Sequence, residues 1–468
     1  MTIGIIALAR PTFDVDFAEA VAAEAFSLID GLGLDVVGDR ALLFDAESTA
    51  AAIEDLRAHD LAALVVLQVT FTDATMTKEL AGAIDAPLIF WAFPEDRTGG
   101  RLRLNALCGI NLAGHALRRL NRSFSYLYAR PGDPTTVTEL TRLLAGGANV
   151  DTAVRLVPDA GELSANALAA ADRVGAALDG LRTGVIGDFP DGFDPCRYDP
   201  EAVRRLTGIT VDRVELTELF ARADQVPSPA VAQARERAAG SLGSLDDLDQ
   251  GELDNSLRLY GGLQSLVIDN EWAGLATRCW PECFTEYGGA ACAPQAMLSD
   301  DGTPSMCEAD VYGTLTGLIL QELSGEAPFV ADLVDIDPDD NSAAVWHCGL
   351  APLSMVGQDA DASPTVHSNR RKPLLHEFVL KPGRVTIARL SQAADRHQLV
   401  VGGGEMLPAP LPFSGTAGVV RFDKPAADVL ATIMAEGLEH HYGIVYGEYE
   451  EELLALAAKW ELPVVNLT

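Results

Sequence analysis

Two parallel-sheet α/β domains followed by a β-rich, barrel-like C-terminal domain are predicted by three observations. Short, wholly apolar segments alternate with amphipathic helical ones over the first part of the chain. Strands buried on both faces of a helix-covered parallel sheet have this pattern. The alternation resumes after about residue 153, and beyond about residue 340 it gives way to closely spaced short strands with Gly- and Pro-containing turns. A chain of 468 residues also exceeds what one hydrophobic core supports. The expected divisions are 1–152, 153–340 and 341–468.

In the first region, Ile3 to Leu8 is an apolar strand, followed by helical periodicity over 17–30 and a short strand at 35–37. A helix over 48–59 leads into the apolar run 61–69. A helix over 76–84 precedes the strand at 87–92, and a helix over 111–120 precedes one at 123–129. The second region has a helix over 163–178 and strands at 183–187, 210–214 and 265–269. Between the last two, Asp247-Leu248-Asp249-Gln250-Gly251 has the look of a calcium loop, but its glycine is misplaced and the closing glutamate is absent. A loop opening a helix is the reading adopted. In the third region, residues 377–390 read as a hairpin turning at Pro382-Gly383, with further strands at 398–401 and 418–422. Gly402-Gly403-Gly404 lacks the Lys-Ser/Thr of a phosphate loop and is read as turns. A helix–strand–helix–strand element closes the chain.

Charge and composition exclude several classes. The 34 basic against 68 acidic residues give a formal net charge of −34, a field that repels nucleic acid. No apolar run approaches a membrane span, so neither nucleic acid nor membrane is an expected partner. The start reads as a first β-strand rather than a signal peptide, so a cytoplasmic location is expected. Cys279, Cys283, Cys292 and Cys307 cluster without a Cys-x-x-Cys pair, which favours buried reduced thiols over a zinc site.

Glu308, Asp332, His347 and His441 stand out because each is a polar side chain in a mostly apolar context, where it is costly without a partner. Carboxylates mixed with imidazoles suit a divalent first-row metal with open positions, and such a metal can grip a polyol or carbonyl substrate. Taken singly, each has a plainer role. A glutamate ahead of a helix complements its positive end, Asp310 suits a helix cap, and a lone histidine is commonly a satisfied core group. Spacing alone does not show that the four converge.

The run from Cys279-Trp280-Pro281-Glu282 through Cys307-Glu308-Ala309-Asp310-Val311-Tyr312-Gly313 to Ala331-Asp332 continues in Trp346-His347-Cys348-Gly349, Gly415-Thr416 and His440-His441-Tyr442. In this order the segments resemble the L-fucose isomerase/L-arabinose isomerase family, especially its fucose isomerase-related branch. Leu107-Cys108-Gly109-Ile110-Asn111-Leu112-Ala113-Gly114-His115 is similar as well. The resemblance implies an aldose–ketose isomerase acting on a pentose, hexose or 6-deoxyhexose. It implies a divalent metal, usually manganese, with cobalt or magnesium as alternatives, held by Glu308, Asp332 and His441, with His347 completing its surroundings. It also implies a homo-oligomer, trimeric or hexameric, in which the N-terminal domain of one subunit covers the site of another. The segment 108–115 is the expected contact region. Aspartate at 332, where the arabinose enzymes carry glutamate, tilts the likeness toward the fucose branch.

Aldose–ketose interconversion moves a proton between C2 and C1 through an enediolate, so it needs a carbon base and a group for the hydroxyl protons. Glu308 is expected as the carbon base and Asp332 as its partner, the reverse order being the alternative. Trp280 is expected to wall the sugar chain, alongside a plain core role. The basic cluster Asn369-Arg370-Arg371-Lys372 is read as a solvated loop, with reception of a phosphate or sulfonate as the alternative. Enediolate chemistry serves carbon–carbon cleavage equally well, so a metal-dependent aldolase or lyase is the chief rival. A non-haem iron site and a non-catalytic sugar-binding protein stand behind it.

Overall fold

The computed structural model describes residues 2–357 and 360–468. The first apolar segments form β1 (Thr2–Leu8), β2 (Asp35–Val37), β3 (Leu42–Leu43), β4 (Ala63–Gln68), β5 (Leu88–Ala92) and β6 (Phe124–Tyr128). They make one parallel sheet in the order β2-β1-β4-β5-β6, with β3 also on β1. β4 and β5 are buried throughout, which explains their unbroken apolar sequences.

β7 (Val154–Leu156) leaves this layer and joins the third sheet. The second sheet holds β8 (Arg182–Ile186), β9 (Thr210–Val214), β10 (Trp272–Thr277) and β11 (Ser305–Met306), all parallel, in the order β11-β10-β8-β9. The strand expected at 265–269 is instead the end of the helix Gln250–Asn270. Leu253, Leu257, Tyr260, Leu263 and Leu266 are buried on one face of that helix. Their spacing of three and four residues, read over the whole segment, outweighs the local apolar run.

The third sheet begins at β12 (Phe329–Asp337) and continues with β13 (Ser342–His347), β14 (Ser363–Thr365), β15 (Leu375–Val379), β16 (Gly383–Ser391), β17 (Gln398–Met406), β18 (Thr416–Phe422), β19 (His441–Tyr446) and β20 (Val464–Asn466). The order β18-β13-β12-β19-β16-β17, with β17 pairing back onto β18, closes a six-stranded ring. The barrel-like expectation is met. The hairpin over 377–390 does not form: β15 pairs with β14 and β18, whereas β16 pairs with β17 and β19. Gly402, Gly403 and Gly404 lie inside β17 rather than in turns. A Cβ on Gly402 would stand 2.6 Å from Thr468 Oγ1, so the C-terminal residue packs where a side chain would be.

His376 on β15 is buried, with Nδ1 3.2 Å from the Ala351 carbonyl, and burial lowers its pKa to about 4. A depressed folded-state pKa stabilises the fold above the unfolded value of about 6.5, and that contribution is lost as pH falls toward 4; it amounts to about 3 kcal/mol. Between pH 7.5 and 4.5, His376→Gln is expected to lose about 2–3 kcal/mol less unfolding free energy than the parent chain. Urea unfolding at the two pH values measures this, and equal losses would contradict it.

Candidate active site

The residues that follow the carboxyl ends of the parallel strands meet at the rim of the barrel. Arg10, Thr12 and Phe13 follow β1, Phe71 follows β4, Trp280 follows β10 and Glu308 follows β11. They line a cavity, partly open to solvent, that also takes in Asp332, His347 and His440. Carboxyl strand ends are where open α/β sheets place their ligands.

Sheet register places the first pair. Asp332 on β12 lies directly opposite His441 on β19, and its other neighbour is Trp346 on β13. His441 Nε2 stands 3.4 Å from Asp332 Oδ1 and 3.6 Å from Glu308 Oε2. His441 Nε2 is thus the atom that both carboxylates approach. His441 Nδ1 donates to Asp310 Oδ2 at 2.8 Å. That fixes the tautomer with the Nε2 lone pair facing the carboxylates, the arrangement of a metal-ligating histidine. Asp332 Oδ1 is buried and accepts no hydrogen bond. An orphaned carboxylate oxygen beside a free imidazole lone pair fits a hard divalent cation such as manganese, cobalt or magnesium.

Glu308 is held at both oxygens: Oε1 accepts from Trp280 Nε1 at 3.2 Å and Oε2 from His440 Nε2 at 2.9 Å. Burial pushes its pKa up, but the His440 hydrogen bond and the nearby imidazoles outweigh it and bring the value to about 2. Burial, with the Glu308 charge beside it, pushes Asp332 the other way, to about 6, against the pull of His441 and His440. Two carboxylates thus differ in basicity because their surroundings differ. Glu308 and Ala309 both have left-handed backbones, φ 60° and 54°. Two consecutive non-glycine residues there cost about 1–3 kcal/mol each, strain concentrated where the chain turns from β11 into the helix Val311–Ser324.

Three tight trios of ligand-type atoms, each within 4.8 Å, occur among the described residues: Cys307–His347–His441, Cys196–Asp310–His441 and Glu308–His440–His441. Asp332 stands outside all three and approaches through His441. Burial holds the Cys307 and Cys196 thiols well above their ordinary pKa, so both are neutral and poor ligands. Asp310 is occupied by Arg389, which donates from Nη1 and Nη2 at 2.5 and 2.9 Å. His347 Nδ1 accepts the Cys348 N–H at 2.8 Å, and its Nε2 lies 2.9 Å from Cys307 Sγ. With Nδ1 accepting, the ring proton sits on Nε2, so His347 presents a donor in this arrangement.

Comparison with known proteins points to the family. A family model described as fucose/sulfoquinovose isomerase, N-terminal domain, matches residues 4–154. A sulfoquinovose isomerase from Priestia megaterium (strain ATCC 12872 / QMB1551) is 29% identical over 97% of this chain and 96% of its own. One from Alkalicoccus urumqiensis is 29% identical over 100% of this chain and 99% of its own. One from Clostridium sp. (strain MSTE9) is 29% identical over 96% and 95%. These matches support the fucose isomerase-related family for this chain. It is a sugar isomerase, an intramolecular oxidoreductase that interconverts aldose and ketose.

Within this fucose isomerase-related chain, several site residues carry no separate signal in the sequence. His440 was visible only as the first of two histidines, and Asp310 as a helix cap. Asp310 does cap the helix, accepting from Gly313 N at 2.8 Å, while also orienting His441 and neutralising Arg389. The segment 108–115 is not available to a partner subunit. It lies in the buried helix Ala106–Arg119, where Asn111 Nδ2 donates to the Leu438 carbonyl and His115 Nδ1 lies 2.9 Å from that of Gly437. The chain's own N-terminal sheet supplies one wall of the cavity. The basic cluster is not a solvated loop either: Asn369 and Arg370 line the cavity and Lys372 pairs with Glu252, while Arg371 is exposed. Among the described residues, no helix is long and apolar enough to cross a membrane.

Proposed function

We propose that this isomerase interconverts a sulfonated 6-deoxyaldose, of the sulfoquinovose type, and its 2-ketose, using Glu308, Asp332 and His441 with a divalent metal. The observation that carries the reading is the convergence of two carboxylates of different basicity on the free Nε2 of His441. The relatives are named for a sulfonated sugar, and the cavity carries Arg10 and Arg370 at its other end.

A divalent cation held by Glu308, Asp332 and His441 supplies Lewis-acid polarisation of the sugar carbonyl. Glu308, ionised at neutral pH, takes the C2 proton of the aldose and returns it to C1. Asp332, the second carboxylate beside His441, carries the hydroxyl proton from O2 to O1. His440 stabilises the Glu308 carboxylate between transfers. Trp280 and Phe71 give the cavity apolar walls that exclude water from the enediolate.

Chelation is expected to abolish interconversion of sulfoquinovose, and added manganese to restore it, with a single 2-ketose product seen by NMR. Two shorter fragments would instead establish the aldolase reading, and full activity after exhaustive chelation would overturn the metal.

A further inference from the structure

The cavity contains two guanidinium groups that proton transfer does not use, and they differ in one respect. Arg10 is already satisfied: it pairs with Asp73, and its guanidinium lies 5.0 Å from the Trp280 ring centroid and 5.4 Å from that of Phe71. Arg370 is half-buried on the cavity wall, and among the described residues its guanidinium has neither a carboxylate nor any other hydrogen-bond acceptor. Burial lowers its pKa, yet a guanidinium keeps its charge. A half-buried cation without a counter-ion is costly.

The segment that carries Arg370 is built rather than loose. Arg101 donates from Nε and Nη2 to Asn369 Oδ1 at 3.1 and 2.9 Å, and from Nη2 to the Thr12 carbonyl at 2.7 Å. The acceptor end of Asn369 is therefore occupied, and its NH₂ is left to donate. The backbone N–H groups of Asn369 and Arg370 both point at His367 Nδ1, 3.2 Å away. His367 lines the same cavity; burial, with Arg370 nearby, lowers its pKa to about 3, so it is neutral with its proton on Nε2. Lys372 anchors the far end on Glu252. Arg101 and Lys372, which hold the segment, are partnered, and Arg371 is exposed to solvent; Arg370 is the unpaired charge on the cavity wall.

We propose that Arg370, with the Asn369 amide, receives the anionic group at the far end of the sugar and is the residue that makes the enzyme prefer a sulfonated aldose to an uncharged one. The inference rests on the substrate class proposed above. Trp280 sets the spacing: its Nε1 donates to Glu308, and its ring lies beneath Arg10. The carboxylate floor and the cationic end are thus separated by about one indole. A six-carbon sugar with C1 and C2 at Glu308 directs its C6 substituent to the arginines, and the negative floor repels the opposite orientation. Rigid anchoring by Arg101 keeps the clamp pre-formed, which limits the ordering cost of binding.

The test compares kcat/KM for sulfoquinovose with that for its uncharged counterpart, quinovose, in the manganese-loaded parent enzyme, Arg370→Gln and Arg370→Lys. In Arg370→Gln the preference for the sulfonated sugar is expected to fall about 10–100-fold, chiefly through KM, as loss of a charge-assisted contact predicts. Arg370→Lys should recover part of it, which a folding defect would not. A parent enzyme that prefers sulfoquinovose and an Arg370→Gln variant that keeps the full preference would overturn the clamp and leave the substrate class standing. A parent enzyme that treats both sugars alike would overturn the substrate class, and the clamp with it.

Discussion

Glu308→Gln is expected to lower kcat by about 10²–10⁴-fold, the usual contribution of a positioned proton-transfer group, with little loss of folded protein. The replacement keeps the side-chain volume and can still accept from Trp280 Nε1. It removes the anion that His440 and the neighbouring imidazoles hold ionised. No other carboxylate is expected to take over, because Asp332 is already assigned the hydroxyl proton. Steady-state kinetics on manganese-saturated protein checks this. A variant that kept most of its turnover would move the carbon base to Asp332.

Asp310→Asn is expected to act on stability and metal affinity together. Asp310 and Arg389 are both fully buried, and Asp310 also accepts from His441 Nδ1 and Gly313 N. Burial opposes the charge on Asp310, but Arg389 and His441 outweigh it and hold the carboxyl well below the usual range. Removing that charge leaves a buried guanidinium unpaired, which costs about 3–5 kcal/mol. It also loosens the tautomer and orientation of His441, and loss of such an outer partner typically weakens metal binding about 10–100-fold. Urea unfolding reads the first effect and manganese titration followed by electron paramagnetic resonance reads the second. A destabilised variant with parental manganese affinity would reduce Asp310 to a structural ion pair.

How much of this was legible in the sequence depended on the range of the interactions involved. Strands β4 and β5 were readable because an apolar run between helices says the same thing locally and globally. The quartet Glu308, Asp332, His347 and His441 was readable by residue type and order, since polar groups in apolar surroundings need partners. Their convergence was not readable, because it depends on the Asp332–His441 register between β12 and β19 and on the placement of the β11 turn against both. Asp310 shows the same limit: one position satisfies a cap that is visible locally, and a buried cation and an imidazole that are far away in sequence. Arg370 was misread because charge runs are ordinarily solvated, and only the anchoring by Arg101 turns this one inward. The hairpin at 377–390 failed for a related reason. The Pro-Gly turn is local evidence, but strand pairing was decided by barrel closure through β17 and β18.

The central claim is that Glu308 moves the carbon-bound proton within a site completed by Asp332 and His441. Its most direct test is NMR of the reaction in deuterium oxide, with parent enzyme and Glu308→Gln both verified to hold manganese. The account predicts ketose with deuterium appearing at C1 in the parent reaction, and loss of both conversion and exchange in the variant. Exchange at the parental rate by manganese-loaded Glu308→Gln would contradict it.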